Sequence, residues 1–174
     1  SVRMRFKINE IGDEGLALTV PVTSEWLATT CPDLGARPGG AGLALRGRLS
    51  RSGEDYLLVG RIAGALETTC ARCLEQARVS IDAQLAVTFV AANLDDEELD
   101  EDEDVIAFGG NEIDLSDEIR DEILLAIPLQ PLCGEACRGL CPICGGNRNA
   151  VACACEAEQR QAASRFAALG KLKI

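Results

Sequence analysis

Histidine is absent from the chain, and aromatic side chains make up only 3% of its 174 residues. The first absence removes the side chain that most often serves as general base or metal ligand near neutral pH. The second leaves the core to Leu, Val, Ile and Ala, and it supplies poorly the stacking faces on which single-stranded RNA is usually held. No run approaches the roughly 20 apolar residues of a membrane span, and the opening SVRMRFKINEIGDEG has no apolar signal-peptide centre. Histidine-based catalysis, aromatic base stacking and helical membrane insertion are all disfavoured.

Thiol is what the chain has in excess. Nine cysteines occur, an odd number, and six of them fall between Cys133 and Cys155. In a chain of ordinary domain size this pattern points to metal in a reducing compartment more than to a disulfide framework, so a cytoplasmic location is expected.

The net charge of -11 is unevenly spread. Residues 1–94 carry ten basic and ten acidic side chains, 95–122 carry one basic against fifteen acidic, and 133–174 carry six basic against three acidic. Phosphate binding relies on Lys and Arg, so only the last segment suits RNA. The middle one suits a basic protein.

Alternation in 2–9 and 15–22 predicts two strands around a turn, with a short helix at about 24–30. LALRGRLS (43–50), the turn chemistry RSGED and YLLVGRIAGALETTC (56–70) form the best hairpin signal, and 78–90 supplies another long strand. DDEELDEDED (95–104) has nine acids in ten residues and is expected to be solvated loop, with structure resuming near Ile106. Ser116, Asp117 and Glu118 suit a helix start. Ile119, Ile123, Leu124 and Ile127 then mark one apolar face until Pro128 stops the helix. From Pro131 the texture is Gly, Pro, Asn and Cys, too poor in apolar residues for a core of its own. EAEQRQAASRFAALG (156–170) predicts a closing helix.

The expected architecture is α+β. An antiparallel β domain, a curved sheet or split β-barrel, covers 1–92, an acidic loop covers 93–111, and a helix within 112–130 packs on the sheet. A Cys-rich zinc ribbon with a C-terminal helix covers 131–174.

The cysteines form four pairs: Cys70 with Cys73, Cys133 with Cys137, Cys141 with Cys144, and Cys153 with Cys155. Each spacing lets one turn of backbone aim two sulfurs at a single ion, and CPICG (141–145) is the most specific, with a rigid Pro142 and a permissive Gly145. With no histidine available, a zinc site here is all thiolate or borrows a carboxylate. Four thiolates close the coordination sphere and leave no place for water or substrate, so the metal is expected to be structural and the protein not an enzyme. Two partitions remain open. One places Cys141, Cys144, Cys153 and Cys155 on one ion and Cys70, Cys73, Cys133 and Cys137 on another; the rival surrounds a single ion with Cys133, Cys137, Cys141 and Cys144. One or two structural Zn2+ ions are therefore expected. Cys31 stands alone before Pro32, as a thiol that packs as a small hydrophobe.

Taken together, TTCARCLE (68–75), the strand after it, the acidic loop, EIDLSDEIRDEILLAIPLQPLC (112–133), CRGLCPICGGNRN (137–149) and SRFAALGKLK (164–173) resemble the YceD-like family, the large ribosomal RNA subunit accumulation proteins. The order and spacing of these pieces carry the likeness over about two thirds of the chain. The resemblance implies a bacterial ribosome biogenesis factor needed for 23S ribosomal RNA to accumulate, often encoded beside a large-subunit ribosomal protein, with no associated enzymatic activity. It also marks the eight paired cysteines as family positions, with Arg72, Gly139, Leu140, Pro142, Gly145 and Asn147 as motif neighbours. Arg148 departs from the pattern, where Leu is usual.

Two mechanisms fit. In an adaptor, the acidic segment 95–122 holds a basic large-subunit ribosomal protein while Arg138, Arg148, Arg160, Arg165, Lys171 and Lys173 approach ribosomal RNA. In a protein-only binder those six cations are a solvated face. The charge distribution favours protein binding with RNA contact optional. A zinc-ribbon transcription accessory or general protein-interaction module is the alternative from fold analogy.

Overall fold

The computed structural model describes residues 3–92 and 105–155, and it is an α+β protein. The chain divides into two compact units: a sheet unit, Ser1–Thr68 with Arg78–Pro131, and a cysteine unit, Thr69–Ala77 with Leu132–Ile174. Among the described residues no helix is long and apolar enough to cross a membrane. The closing helix expected over 156–170 and the acidic run 95–104 lie outside the described residues.

The sheet unit is built on β2 (Leu16–Val22), β3 (Arg37–Ser52), β4 (Asp55–Thr69), β5 (Gln76–Ala91) and β6 (Val105–Phe108), in that spatial order. β2 and β4 flank β3 antiparallel, and β6 runs parallel to β5. Alternation of apolar and polar residues sends Leu45, Leu49, Leu58 and Ile62 inward, all fully buried. β3 is longer than its pattern foretells: it begins within Arg-Pro-Gly-Gly, and the pairing with β4 shifts register between Pro38 and Leu43. Such a bulge accommodates the Pro and Gly that would break a regular ladder.

Two pairings differ from the expectation. The first strand, β1 (Arg5–Lys7), does not pair with β2 but with β7 (Glu112–Asp114), more than a hundred residues on, in a small antiparallel ribbon. Phe6 sits opposite Ile113 there, and both are buried, which rewards the long-range closure. Residues 105–108, within the stretch expected as acidic loop, form β6.

Both expected helices of the sheet unit are present. α1 (Ser24–Thr30) is capped by Thr23, whose Oγ1 accepts from the Trp26 N–H at 3.2 Å. α2 (Ser116–Ala126) buries Ile119 and Ile123 completely in the main core, worth about 1.5–3 kcal/mol each. Its start is held by Asp114, whose Oδ1 accepts from the Ser116 N–H at 2.9 Å, and not by the Ser116 hydroxyl. Leu124, expected on the apolar face, is 44% exposed, and Leu125 is 80% exposed.

Candidate metal centres

Among the described residues of the cysteine unit, Cys70, Cys73, Ala77 and Cys137 form the buried cluster, with Leu132 against it. Burial on that scale contributes little to holding a module, and cross-links through metal are a common supplement in small ones.

All nine cysteines are free thiols, and eight of them gather into two quartets: Cys70, Cys73, Cys133 and Cys137, and Cys141, Cys144, Cys153 and Cys155. Within each quartet the sulfurs all lie within 4.8 Å of one another. This grouping follows the first of the two partitions considered above. In the first quartet Cys70 and Cys137 sulfurs are 3.8 Å apart and those of Cys73 and Cys133 are 3.5 Å apart. A disulfide would require about 2.0 Å. A tetrahedron with metal–sulfur bonds of about 2.3 Å has edges of about 3.8 Å, so the donor set fits a thiolate-bound divalent ion such as zinc.

Local backbone turns aim the sulfurs. At the end of β4 the Cys70 N–H donates to the Glu75 carbonyl at 2.8 Å, and the Leu74 N–H returns to the Cys70 carbonyl at 3.0 Å. The same pair of bonds recurs at the second quartet, from Cys141 to Gly146 at 2.8 Å and from Gly145 to Cys141 at 2.9 Å. Gly145 adopts a left-handed φ of 71°, as the Pro-Ile-Cys-Gly spacing implies. Gly139 is also left-handed, and a Cβ there would lie 3.0 Å from the Arg72 carbonyl oxygen, so only glycine permits that approach. Next to it, the Leu140 N–H donates to the same carbonyl at 2.9 Å.

Electrostatics divide each quartet. Burial pushes the Cys70 thiol up, but backbone N–H groups of Cys73, Arg72 and Cys133 outweigh it and bring Cys70 down to about 6. Cys137 is lowered chiefly by the Asn149 amide, whose Nδ2 donates to its sulfur at 3.4 Å. Cys133 pays for the anions beside it, driven up to about 12 by the Cys73 and Cys137 sulfurs and by burial. In the second quartet the Cys144 and Ile143 N–H groups bring Cys141 down to about 6, while the Cys144 sulfur and burial raise Cys155 to about 12. Four sulfurs so close cannot all ionise unaided, and a divalent cation among them removes that penalty.

The residues matched by the description "Large ribosomal RNA subunit accumulation protein YceD" are 58–173, which include both quartets. The chain belongs to the YceD family. Among curated relatives, a protein of Mycobacterium tuberculosis is 34% identical over 106 residues, 61% of this chain and 51% of that protein. The Arabidopsis thaliana chloroplast protein named large ribosomal RNA subunit accumulation protein YCED homolog 1 is 39% identical over 62 residues, 36% of this chain and 19% of its own. The Zea mays protein of the same name is 44% identical over 54 residues, 30% of this chain and 18% of its own. The chain thus spans about half the length of the Mycobacterium tuberculosis relative, 51%. No solved structure matches.

Of the six cations expected near RNA, Arg138 and Arg148 line one cleft of about 300 Å³, with Val151, Ala152 and Cys153. A short ladder makes them neighbours: the Arg148 N–H donates to the Gly139 carbonyl at 2.9 Å, and the Arg138 N–H to Asn149 Oδ1 at 2.8 Å. Arg160, Arg165, Lys171 and Lys173 lie outside the described residues. Cys31 belongs to the sheet unit, is a member of neither quartet, and is buried. Sequence reasoning missed Asn149, which bonds one thiolate and one cleft arginine's backbone. The only signal was its place two residues after Asn147, whose Oδ1 accepts from the Asn149 N–H at 2.9 Å.

Proposed function

We propose that this protein is a ribosome biogenesis factor that supports accumulation of large-subunit (23S) ribosomal RNA, acting as a zinc-stabilised adaptor and not as an enzyme. The observation that carries this reading is the family match over 58–173, which spans every paired cysteine. The names of the plant relatives point the same way.

In this reading Cys70, Cys73, Cys133 and Cys137 hold one Zn2+ and Cys141, Cys144, Cys153 and Cys155 a second, the latter as a zinc ribbon, and the sheet unit is a curved sheet or split barrel. Zinc supplies charge neutralisation and a cross-link, and four thiolates leave no position for a reacting water. The acidic segment 95–122 recruits a basic large-subunit ribosomal protein, and the Arg138–Arg148 cleft offers guanidinium groups to ribosomal RNA phosphate. The adaptor works in the cytoplasm.

Depletion of the protein in its own cells, followed by measurement of the large- to small-subunit ribosomal RNA ratio, tests the function. The ratio should fall, and it should recover with the wild-type chain but not with a Cys70→Ser/Cys73→Ser chain. An unchanged ratio on depletion overturns the proposal. For the RNA half, binding of large-subunit RNA fragments should weaken with salt and lose about two units of salt slope in Arg138→Ala/Arg148→Ala.

A further inference from the structure

Among the described residues β6 is an edge strand, since β5 is its neighbour on one side and the sheet order ends there. Edge strands are usually blunted by Lys, Pro or an inward charge. Val105–Phe108 carries none of these: it is Val-Ile-Ala-Phe, four residues of high strand propensity or small size. Parallel strands are normally covered on both sides, yet Ile106 and Phe108 pack on the core and stay only partly buried.

A cleft of about 390 Å³ adjoins this strand, lined by residues 106–109 and Phe89 of β5, by the ion pair Arg5–Asp114, and by Glu112, Asp117 and Glu118. Consecutive residues of β6 and the first turn of α2 both line it, so the cleft opens between the end of this strand and the start of that helix. Its volume lies at the small end for ligand sites, room for side chains of a segment laid along the edge.

Charge selects the occupant. Asp114 is already engaged by Arg5 at 2.8 Å and by the Ser116 N–H, and Asp117 by Arg120 at 2.7 Å. Among the described residues Glu112 and Glu118 have no salt bridge. A second copy of a chain with net charge -11 is repelled, and so is nucleic acid. We propose that the open edge of β6 takes an extended basic segment of a partner protein as an added strand, with Lys or Arg side chains set against Glu112 and Glu118. This rests on the adaptor reading above and assigns the place and mode of its protein contact.

The probe is a fluorescently labelled peptide of alternating Lys and Val, titrated into the full chain by anisotropy. A version N-methylated along one edge keeps the charge and loses strand hydrogen bonds. The unmodified peptide should bind, weaken with salt, and lose about tenfold in affinity in Glu112→Gln/Glu118→Gln, with the N-methylated peptide weakened at least as much. Equal binding of both peptides overturns strand addition, and equal binding to both proteins overturns the site. Self-association that the peptide fails to displace also overturns it, because the edge would then hold a second copy. The assay contains no RNA, so the edge proposal can fail while depletion still lowers the ribosomal RNA ratio, and the reverse.

Discussion

Leu74 and Gly145 occupy the same position in two cysteine turns that share one hydrogen-bond pattern. Each follows the second cysteine of its pair, donates its N–H to the carbonyl of the first at 3.0 and 2.9 Å, and has a left-handed φ, 62° and 71°. Leu74 is the one non-glycine residue with positive φ among those described, and it is 65% exposed, so packing does little to offset its backbone cost. Left-handed backbone costs an L-residue about 1 kcal/mol, partly recovered because glycine loses more entropy on folding. Leu74→Gly should therefore stabilise the metal-loaded protein by about 0.5 kcal/mol, and Gly145→Ala should destabilise it by about 1 kcal/mol. Chemical denaturation of both variants gives the comparison, and a loss of stability in Leu74→Gly or a gain in Gly145→Ala refutes the equivalence.

Asn149 deserves its own test because it serves the first quartet without being a ligand. Its amide donates to the Cys137 sulfur, and its carbonyl accepts from the Arg138 N–H. Donors to ligating groups typically contribute 10–100-fold to metal affinity. Asn149→Ala should weaken one of two bound ions by about that factor and leave the other unchanged, as followed by competition with a chromogenic chelator. Equal weakening of both, or of neither, contradicts the assignment.

What could be read from sequence followed the range of the interaction. Helices α1 and α2 and the long strands are written in local periodicity and caps, and the cysteine pairs in local spacing. Which pairs share an ion was open, because the Cys70–Cys73 turn and Cys133–Cys137 are sixty residues apart and neither spacing encodes the other. The β1–β7 ribbon was hidden for the same reason. Residues 105–108 were hidden differently: four apolar residues after an acidic run are too few to show a period, and parallel pairing to β5 makes them a strand. Pro38 and two glycines disguised the start of β3 as loop, and the bulge that tolerates them has no sequence signature of its own.

The two quartets differ in access, and metal release should show it. In the first quartet Cys70, Cys73 and Cys137 are buried to 0, 3 and 8% exposure and Cys133 alone is exposed, whereas in the second only Cys141 is buried, Cys153 and Cys155 are half-buried and Cys144 is exposed. Chelator reaches a thiolate site through the ligands that burial leaves accessible, one in the first quartet and three in the second. Purified protein should carry two zinc ions by native mass spectrometry and release them in two phases, the faster abolished in Cys144→Ser. A single ion, or a single phase, contradicts two independent centres.

Glu118 sets a pH dependence opposite in sign to that of its neighbour Asp114. Burial raises the Glu118 carboxyl, and the like charges of Asp121, Asp117 and Glu122 raise it further. The folded protein therefore binds this proton more tightly than the unfolded chain, whose value is about 4.3. That contribution is present below the unfolded pKa and fades as pH rises through the folded one. Asp114 behaves in reverse: burial raises it, but Ser116 and Arg5 win and lower it, so its contribution is present above the unfolded pKa and lost as pH falls through the folded one. At neutral pH Glu118→Gln should thus stabilise by a few tenths of a kcal/mol after solvent screening, with no effect near pH 3. Asp114→Asn should destabilise at neutral pH by about 0.5–1 kcal/mol, chiefly through the Ser116 N–H bond at the start of α2. Denaturant unfolding across this pH range measures both. A neutral-pH loss of stability in Glu118→Gln would mean that the carboxylate is already matched by a cation, which would also remove the reason for a basic strand to settle beside it.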